Sequence, residues 1–250
     1  MDKVKTVVLI LAAGRGTRMK SDLPKVLHPL AGRPLVGHVV ETAKELSPEK
    51  IVVVVGYMAQ SVKDALRDEA LVFAEQKEQR GTGHAVMQAE SALASFEGNL
   101  LVLSGDVPLV RADTLRELLA LSGKTMAHVA LLTAEAENPY GYGRIVRGVD
   151  GEVQAIVEER DATPNQKMIK EINGGIYVFD SRFLFDALRQ LAPDNEQNEF
   201  YLTDVVKIAL RSGNRVAALR LSDTQQISGV NRPEELEEIN RRMMAAGGKN

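Results

Sequence analysis

Residues Leu9–Gly32, LILAAGRGTRMKSDLPKVLHPLAG, decide how the rest of the chain is read. An apolar run stops at two glycines, and basic residues follow at once. Thr6 to Ala12 is apolar at successive positions and rich in β-branched side chains, the pattern of a strand buried on both faces in a parallel sheet. Gly14 and Gly16 carry no Cβ, so the backbone there can turn tightly and bring its N–H groups close to an anion. Arg15, Arg18, Lys20 and Lys25 add positive charge against one nearby acid, Asp22. The stretch predicts a phosphate-holding loop at the end of a buried strand.

Working outward, Leu35, Val36, Val39, Val40, Ala43 and Leu46 recur at helical spacing behind Gly32 and Pro34. Ile51–Val55 reads as a second buried strand ending at Gly56. A helix over Ala59–Arg67 and a short strand over Leu71–Ala74 follow. Gly81-Thr82-Gly83-His84 breaks the chain, His84–Leu93 reads as a helix, and Leu100–Leu103 is a strand that runs into Ser104-Gly105-Asp106. Strands alternating with helices predict an α/β fold with a Rossmann-like, mostly parallel sheet flanked by helices. Ligands of such sheets sit at the strand C-termini, where the three glycine-containing breaks can meet.

After about Asn138 the character changes. Arg144–Arg147, Glu152–Glu158 and Ile172–Phe179 read as strands with little helix between them, which predicts a smaller β-rich lobe. Helices are expected at Arg182–Leu191 and Leu202–Arg211, a strand at Arg215–Leu221 and a charged helix at Pro233–Ala246, with Pro in its first turn.

The composition is globular rather than disordered, with 44% hydrophobic and 26% charged residues. A net charge of −3 argues against a general nucleic-acid binder. Ala13–Pro34 nevertheless carries five Lys or Arg and one Asp, or +4, which leaves −7 on the remainder. An acidic protein with its positive charge gathered at one loop attracts phosphate ligands there. With no cysteine, disulfides, thiolate metal sites and thiol nucleophiles are excluded, which suits a reducing cytoplasm. Lys3 and Lys5 before Val7–Ala13 imitate a signal peptide, but the run is short and is followed by Gly14 and Arg15. No stretch approaches the ~20 apolar residues of a membrane helix. A cytoplasmic protein with no membrane partner is expected.

Two commoner phosphate motifs do not fit. Met19 stands where a dinucleotide fingerprint needs its third glycine, and Leu118 stands where a P-loop ending in Gly123-Lys124-Thr125 needs its first. The string AGRGTRM at 13–19 followed by LPKVLHPLAG at 23–32 instead resembles the signature of sugar-1-phosphate nucleotidyltransferases, specifically the uridylyltransferases acting on N-acetylglucosamine 1-phosphate. Further blocks resemble that family in order and spacing. They are Gln76, GTGH at 81–84, SGDVPL at 104–109, GYGRI at 141–145, VEERDAT at 157–163, INGGIY at 172–177, EFYLTD at 199–204 and GVN at 229–231.

The resemblance implies transfer of the uridylyl group of UTP to N-acetylglucosamine 1-phosphate, giving UDP-N-acetylglucosamine and pyrophosphate for cell-envelope precursors. It implies catalytic roles for Arg18 and Lys25. Nucleotide contacts would come from Leu11, Ala12, Ala13, Gly14, Arg15, Gly16, Gln76, Gly81, Thr82, Ser104, Gly105 and Asp106. Gly143, Glu158, Asn173, Tyr201 and Thr203 would hold the sugar. Asp106 and Asn231 would bind Mg²⁺, which suits a cation that takes one or two hard oxygens from protein and the rest from water and phosphate. Ser104 departs from the aromatic residue often found at its position in relatives. Read without the resemblance, Gln76 would be a solvated side chain, Thr82 a helix cap, and Asn231 a turn residue or cap.

Residues 1–232 are expected to form the nucleotidyltransferase domain, with 1–110 mainly nucleotide-binding, 138–230 mainly sugar-binding and 233–250 a connector helix and tail. Relatives commonly carry a C-terminal β-helix of hexapeptide repeats that acetylates glucosamine 1-phosphate and supports trimers. Nothing of that kind precedes Asn250, so the uridylyltransferase half alone, as a monomer, is the expectation. Rival readings are a nucleotidyltransferase for another base or sugar 1-phosphate, and a nucleotide-sugar-binding protein without turnover.

Overall fold

The computed structural model describes residues 4–67 and 69–247. Met1–Lys3, Asp68 and the tail from Gly248 lie outside the described residues. Nine strands form one sheet: β1 Thr6–Ala12, β2 Lys50–Val55, β3 Val72–Glu75, β4 Asn99–Ser104, β5 Val129–Glu135, β6 Arg144–Arg147, β7 Val153–Val157, β8 Glu171–Asp180 and β9 Val216–Leu221. Strand order along the main path is β9-β5-β8-β4-β1-β2-β3. β1 lies at the centre of the parallel half, with Leu9 opposite Val52 of β2 and Val102 of β4.

The side-chain alternation of a strand explains why both faces of β1 are apolar. Val7 and Leu9 enter one core with Val52, Val54, Leu100 and Val102, while Val8 and Ile10 enter the opposite core with Ile51, Val53, Leu101 and Leu103. Helices cover both faces: α1 Leu35–Lys44, α2 Ala59–Ala65, α3 Thr82–Met87, α4 Glu90–Leu93, α5 Ala112–Thr125, α6 Pro164–Lys167, α7 Ser181–Leu188, α8 Asp204–Arg211 and α9 Pro233–Gly247. α1 buries Leu35, Val36, Val39, Val40 and Ala43, the residues spaced for it in the sequence. Among the described residues no helix is long and apolar enough to cross a membrane.

The predicted mostly parallel sheet flanked by helices is present. Several local expectations need correction. The helix expected over His84–Leu93 begins at Thr82 and is split into α3 and α4. Two elements lie outside those expected from the sequence, α5 and β5, and Gly123-Lys124-Thr125 is the last turn of α5. A P-loop would put those residues at a helix N-terminus. The strands of the β-rich part belong to the main sheet. β8 runs antiparallel between β4 and β5, with Tyr177 opposite both Val102 and Leu131. Only the β6–β7 hairpin projects, joined to β8 where Arg144 faces Ile172.

Because β1, β2, β3 and β4 are parallel, the turns after Ala12, Val55, Glu75 and Ser104 all emerge at one edge. β8 enters the sheet from that same edge because it runs the other way, and this brings Asn173 there. Its register slips between Asn173 and Tyr177, at Gly174-Gly175. Gly175 has φ +66°, and a Cβ on Gly174 would meet Ile227 Cγ2 at 2.8 Å, so the slip uses glycine for both conformation and space.

Candidate active site

The loop after β1 closes on itself around Gly16. Its φ of +70° precedes a short turn of 3-10 helix over Thr17–Met19, and a Cβ at this position would overlap the Cβ of Lys25. Glycine here therefore allows the turn and also lets the Lys25 stem lie against the backbone. Met19 is buried in a small core with Leu30, Leu35 and Val230, against which Leu236, Ile239 and Met243 of α9 pack. Ala31 N donates to Asn240 Oδ1 at 3.0 Å. Thus the helix expected as a connector folds back and buttresses the loop that presents Arg18. Arg15 points elsewhere, its guanidinium 5.1 Å from the centroid of the Tyr57 ring.

Four polar side chains from distant parts of the chain meet beyond the loop. Lys25 Nζ pairs with Asp106 Oδ2 and donates to Asn231 Oδ1 at 3.0 Å. Arg18 Nη2 donates to the same Asn231 oxygen at 2.7 Å. Gly105 N donates to Leu11 O at 2.9 Å, and Val230 N donates to Asp106 O at 2.9 Å, so the backbone pins Asp106 between β1 and the Asn231 loop. Glu235, in the first turn of α9, accepts from Asn231 N at 2.6 Å and from Arg232 N at 3.1 Å. Asn231 Nδ2 donates to Gly229 O at 3.0 Å, which leaves its Oδ1 turned to the cations. A carboxylate and an amide oxygen already converging on one ammonium are a suitable donor set for a hard divalent cation.

Eight of the twelve nucleotide candidates, Asp106 among them, line a cleft of about 310 Å³ that also includes Lys25, whereas Ala12, Arg15, Gly16 and Gly105 do not line it. Leu11, Ala13, Gly14, Gln76, Gly81, Thr82 and Ser104 border it, while the Ala12 side chain is buried in the core. Two expectations made without the resemblance are overturned. Gln76 is not solvated: it is 3% exposed, and its Nε2 lies 3.1 Å from Gly81 O and 3.0 Å from His84 Nδ1. Thr82 does not cap its helix. Gly81 occupies the cap, and Thr82 Oγ1 accepts from Leu202 N at 3.0 Å, tying α3 to the segment before α8. Gly81 has φ +102°, and a Cβ there would meet Phe200 O at 2.6 Å. Ser104 Oγ donates to Gly175 O at 3.2 Å.

A second cavity of about 430 Å³ is bounded by Arg18 together with Thr17, Gly141, Glu158, Glu159, Arg160, Gln197 and Arg232. Of the five sugar candidates Glu158 reaches it directly, and the other four stand behind or beside Glu158. Thr203 Oγ1 donates to Glu158 Oε1 at 3.1 Å, and Tyr201 OH accepts from Gln197 Nε2 at 2.7 Å. Asn173 Nδ2 donates to Tyr177 OH at 2.6 Å, and Asn173 N donates to Gly143 O at 2.8 Å. A Cβ on Gly143 would lie 3.5 Å from Glu158 Oε2. Burial raises the Glu158 carboxyl above the usual range, and Asp161, Asp204 and Glu199 add to the effect against the Thr203 bond. Burial also pushes the Tyr201 phenol up to about 12, so it stays a neutral hydrogen-bonding group.

Some structural partners of this site are absent from the reading of the sequence. Arg144 is 1% exposed, and its Nη2 donates to Glu159 Oε2 at 2.6 Å. Glu159 Oε2 also accepts from Gly141 N at 3.1 Å, so this ion pair holds the Gly141–Gly143 wall. Arg144 and Glu159 lie inside the GYGRI and VEERDAT blocks, but nothing local in either block indicates that they pair.

A glycine loop, a pair of cations and a carboxylate–amide pair at the strand ends of a Rossmann-like sheet define a nucleotidyltransferase fold. A crystal structure of UDP-glucose pyrophosphorylase complexed with UDP-glucose shares it, with a TM-score of 0.76 over 98% of this chain and 100% of that one, at 23% identity. The chain belongs to the MobA-like NTP transferase domain family, which matches residues 8–207.

Similar curated proteins include Bifunctional protein GlmU of Geobacter metallireducens, 48% identical over 248 residues, 96% of this chain and 52% of that protein. Those of Streptococcus suis and Exiguobacterium sibiricum are 49% and 51% identical, each over 223 residues and 89% of this chain, covering 48% and 49% of their own lengths. The chain thus spans about half the length of the curated relatives it matches.

Proposed function

We propose that the protein transfers the uridylyl group of UTP to N-acetylglucosamine 1-phosphate. The observation that carries this reading is the shared Asn231 oxygen. It accepts from Lys25, which faces the cleft of the nucleotide candidates, and from Arg18, which faces the cavity of Glu158. A nucleotide in the first space and a phosphorylated sugar in the second would meet there. Identity near one half to proteins named GlmU over most of this chain supports uridylyl and N-acetylhexosamine specificity.

The sugar phosphate, with a second pKa near 6, is already largely ionised at neutral pH and can attack without a general base. One of its oxygens bonds to the α-phosphorus of UTP. The bond from that phosphorus to the α,β-bridging oxygen breaks, and the oxygen leaves on pyrophosphate. Catalysis then consists of aligning two anions and neutralising the charge that develops. In this account Lys25 holds the α-phosphate side, Arg18 stabilises the charge that develops on the transferred phosphoryl group, and the Gly14–Gly16 backbone holds the outer phosphates, which Arg15 would reach on leaving the Tyr57 ring. Gln76, Gly81 and Thr82 present the edge that reads the base, while Glu158 and Asn173 accept from and donate to sugar hydroxyls.

Asp106 and Asn231 are the residues that would hold Mg²⁺, which supplies charge neutralisation to phosphate oxygens when bound. Residues 1–110 then serve mainly the nucleotide and 138–230 mainly the sugar, in a cytoplasmic enzyme. The test is pyrophosphate release across a panel of nucleoside triphosphates and sugar 1-phosphates, with and without chelator. Chelator-sensitive release greatest with UTP and N-acetylglucosamine 1-phosphate supports the reading. Release only with another base or sugar, or none, overturns it.

A further inference from the structure

Three arginines bound the cavity beside the Asn231 junction, namely Arg18, Arg160 and Arg232. None has a carboxylate within 4.0 Å among the described residues, whereas arginines such as Arg33, Arg116, Arg147 and Arg189 are ion-paired. Guanidinium groups left without carboxylates around one cavity attract an anionic ligand, and their planar fork matches phosphate oxygens two at a time.

Arg18 already belongs to the cluster through Asn231, and of the other two Arg232 is the one whose backbone the cluster holds. It follows Asn231 directly, and its backbone N–H is held by the same Glu235 carboxylate that holds Asn231 N–H. It therefore stands at the end of the cavity nearest Arg18 and the Lys25–Asn231–Asp106 contacts. Glu158 supplies the opposite character, an acceptor without a cationic partner that suits hydroxyl groups. A cavity with Arg18 and Arg232 beside the junction and Glu158 elsewhere in its lining, its other carboxylate Glu159 already paired with Arg144, is complementary to a phosphorylated sugar with its phosphate toward the junction.

We propose that Arg232 binds the phosphate of the acceptor sugar 1-phosphate, forming with Arg18 a two-guanidinium clamp that aims the attacking oxygen. The proposal rests on the uridylyl-transfer reading and adds a binding residue to it. The alternative anion for the same guanidinium is the triphosphate of the nucleotide, so the two KM values must be separated.

The experiment is steady-state pyrophosphate release by wild type, Arg232→Gln and Arg232→Lys, with each substrate varied at saturating levels of the other. Loss of a bidentate charge-assisted contact should raise the sugar 1-phosphate KM of R232Q by ~10-fold or more and leave the UTP KM within ~2-fold. R232K, which keeps the charge but not the fork, should fall between R232Q and wild type. Thermal melting of both variants at the wild-type temperature separates a binding role from a structural one. An unchanged sugar-phosphate KM in R232Q, an equal rise in both KM values, or a rise confined to UTP overturns the proposal. Absence of turnover in the wild type would instead overturn the uridylyl-transfer reading beneath it.

Discussion

Replacing Gly16 by alanine should separate the two tasks of that glycine. Its φ of +70° is left-handed, which costs an L-residue ~1–2 kcal/mol. In a protein of this size each kcal/mol lowers the melting temperature by roughly 2–4 °C, so strain alone predicts a loss of ~2–8 °C. The added Cβ would also overlap Lys25 Cβ and crowd its Cγ and Cδ at 3.2 and 3.3 Å. Lys25 Cβ is fixed to its own backbone, so the overlap is relieved by moving that backbone, which takes the ammonium away from Asp106 and Asn231. Misplacement of a catalytic group by about 1 Å can cost ~100-fold in rate.

G16A should therefore melt a few degrees low and lose turnover by ~100-fold, far more than its destabilisation explains. Differential scanning fluorimetry and a pyrophosphate-coupled kcat measurement check the two parts. Gly14→Ala is the stability comparison, because a Cβ there meets nothing within 4 Å and no positive φ is involved. It should melt at or slightly above wild type. A G16A protein with wild-type melting and turnover would refute the account of this loop.

Met19→Ala should open the small core between the Arg18 turn and α9, lowering stability by about 2–5 kcal/mol and reducing kcat together with it. Chemical denaturation and turnover measured on the same preparation check this. For Glu158 the folded pKa is raised, chiefly by burial, so the folded state holds its proton more tightly than the unfolded state. The stability this residue contributes is present at low pH and is lost as pH rises from the ordinary carboxylate range through the raised value. Glu158→Gln should accordingly gain in melting temperature on wild type as pH rises above the ordinary carboxylate range, while its sugar 1-phosphate KM rises. A difference in melting temperature that does not change with pH would contradict the assignment.

Much of the parallel half was legible because its signals are local. Thr6–Ala12 carried its strand in its β-branched, unbroken apolar run, and the glycines after it marked the turn. Apolar spacing along α1 did the same. α5 and β5 also carry local signals, Leu115 and Leu118 at helical spacing and the run Val129–Ala134. The placement of β8 was a different case. Its strand character is local, but its insertion between β4 and β5 depends on pairings such as Tyr177 with Val102, 75 residues apart.

Site residues divide in the same way. Gly16 and Lys25 are close in sequence and could be guessed together, whereas the Lys25–Asn231 bond spans 206 positions and needed a family resemblance to be expected at all. Thr82 and Gln76 were misread without that resemblance because tertiary partners, Leu202 N and Gly81 O, took the groups that local rules leave to a cap or to water. The role of α9 against Met19 was hidden because a charged helix reads as solvated until its Leu236, Ile239 and Met243 face is seen to have a partner.

The central claim is that an oxygen of the sugar phosphate attacks the α-phosphorus of UTP at the Arg18–Asn231–Lys25 junction. It is tested most directly by phosphorus NMR of the product formed from UTP and N-acetylglucosamine 1-phosphate carrying ¹⁸O in its phosphate. The account predicts an isotope shift on the α-phosphorus of the UDP-sugar, because the labelled oxygen becomes the bridge. An unshifted α-phosphorus, or pyrophosphate released with UMP and no UDP-sugar, would contradict it.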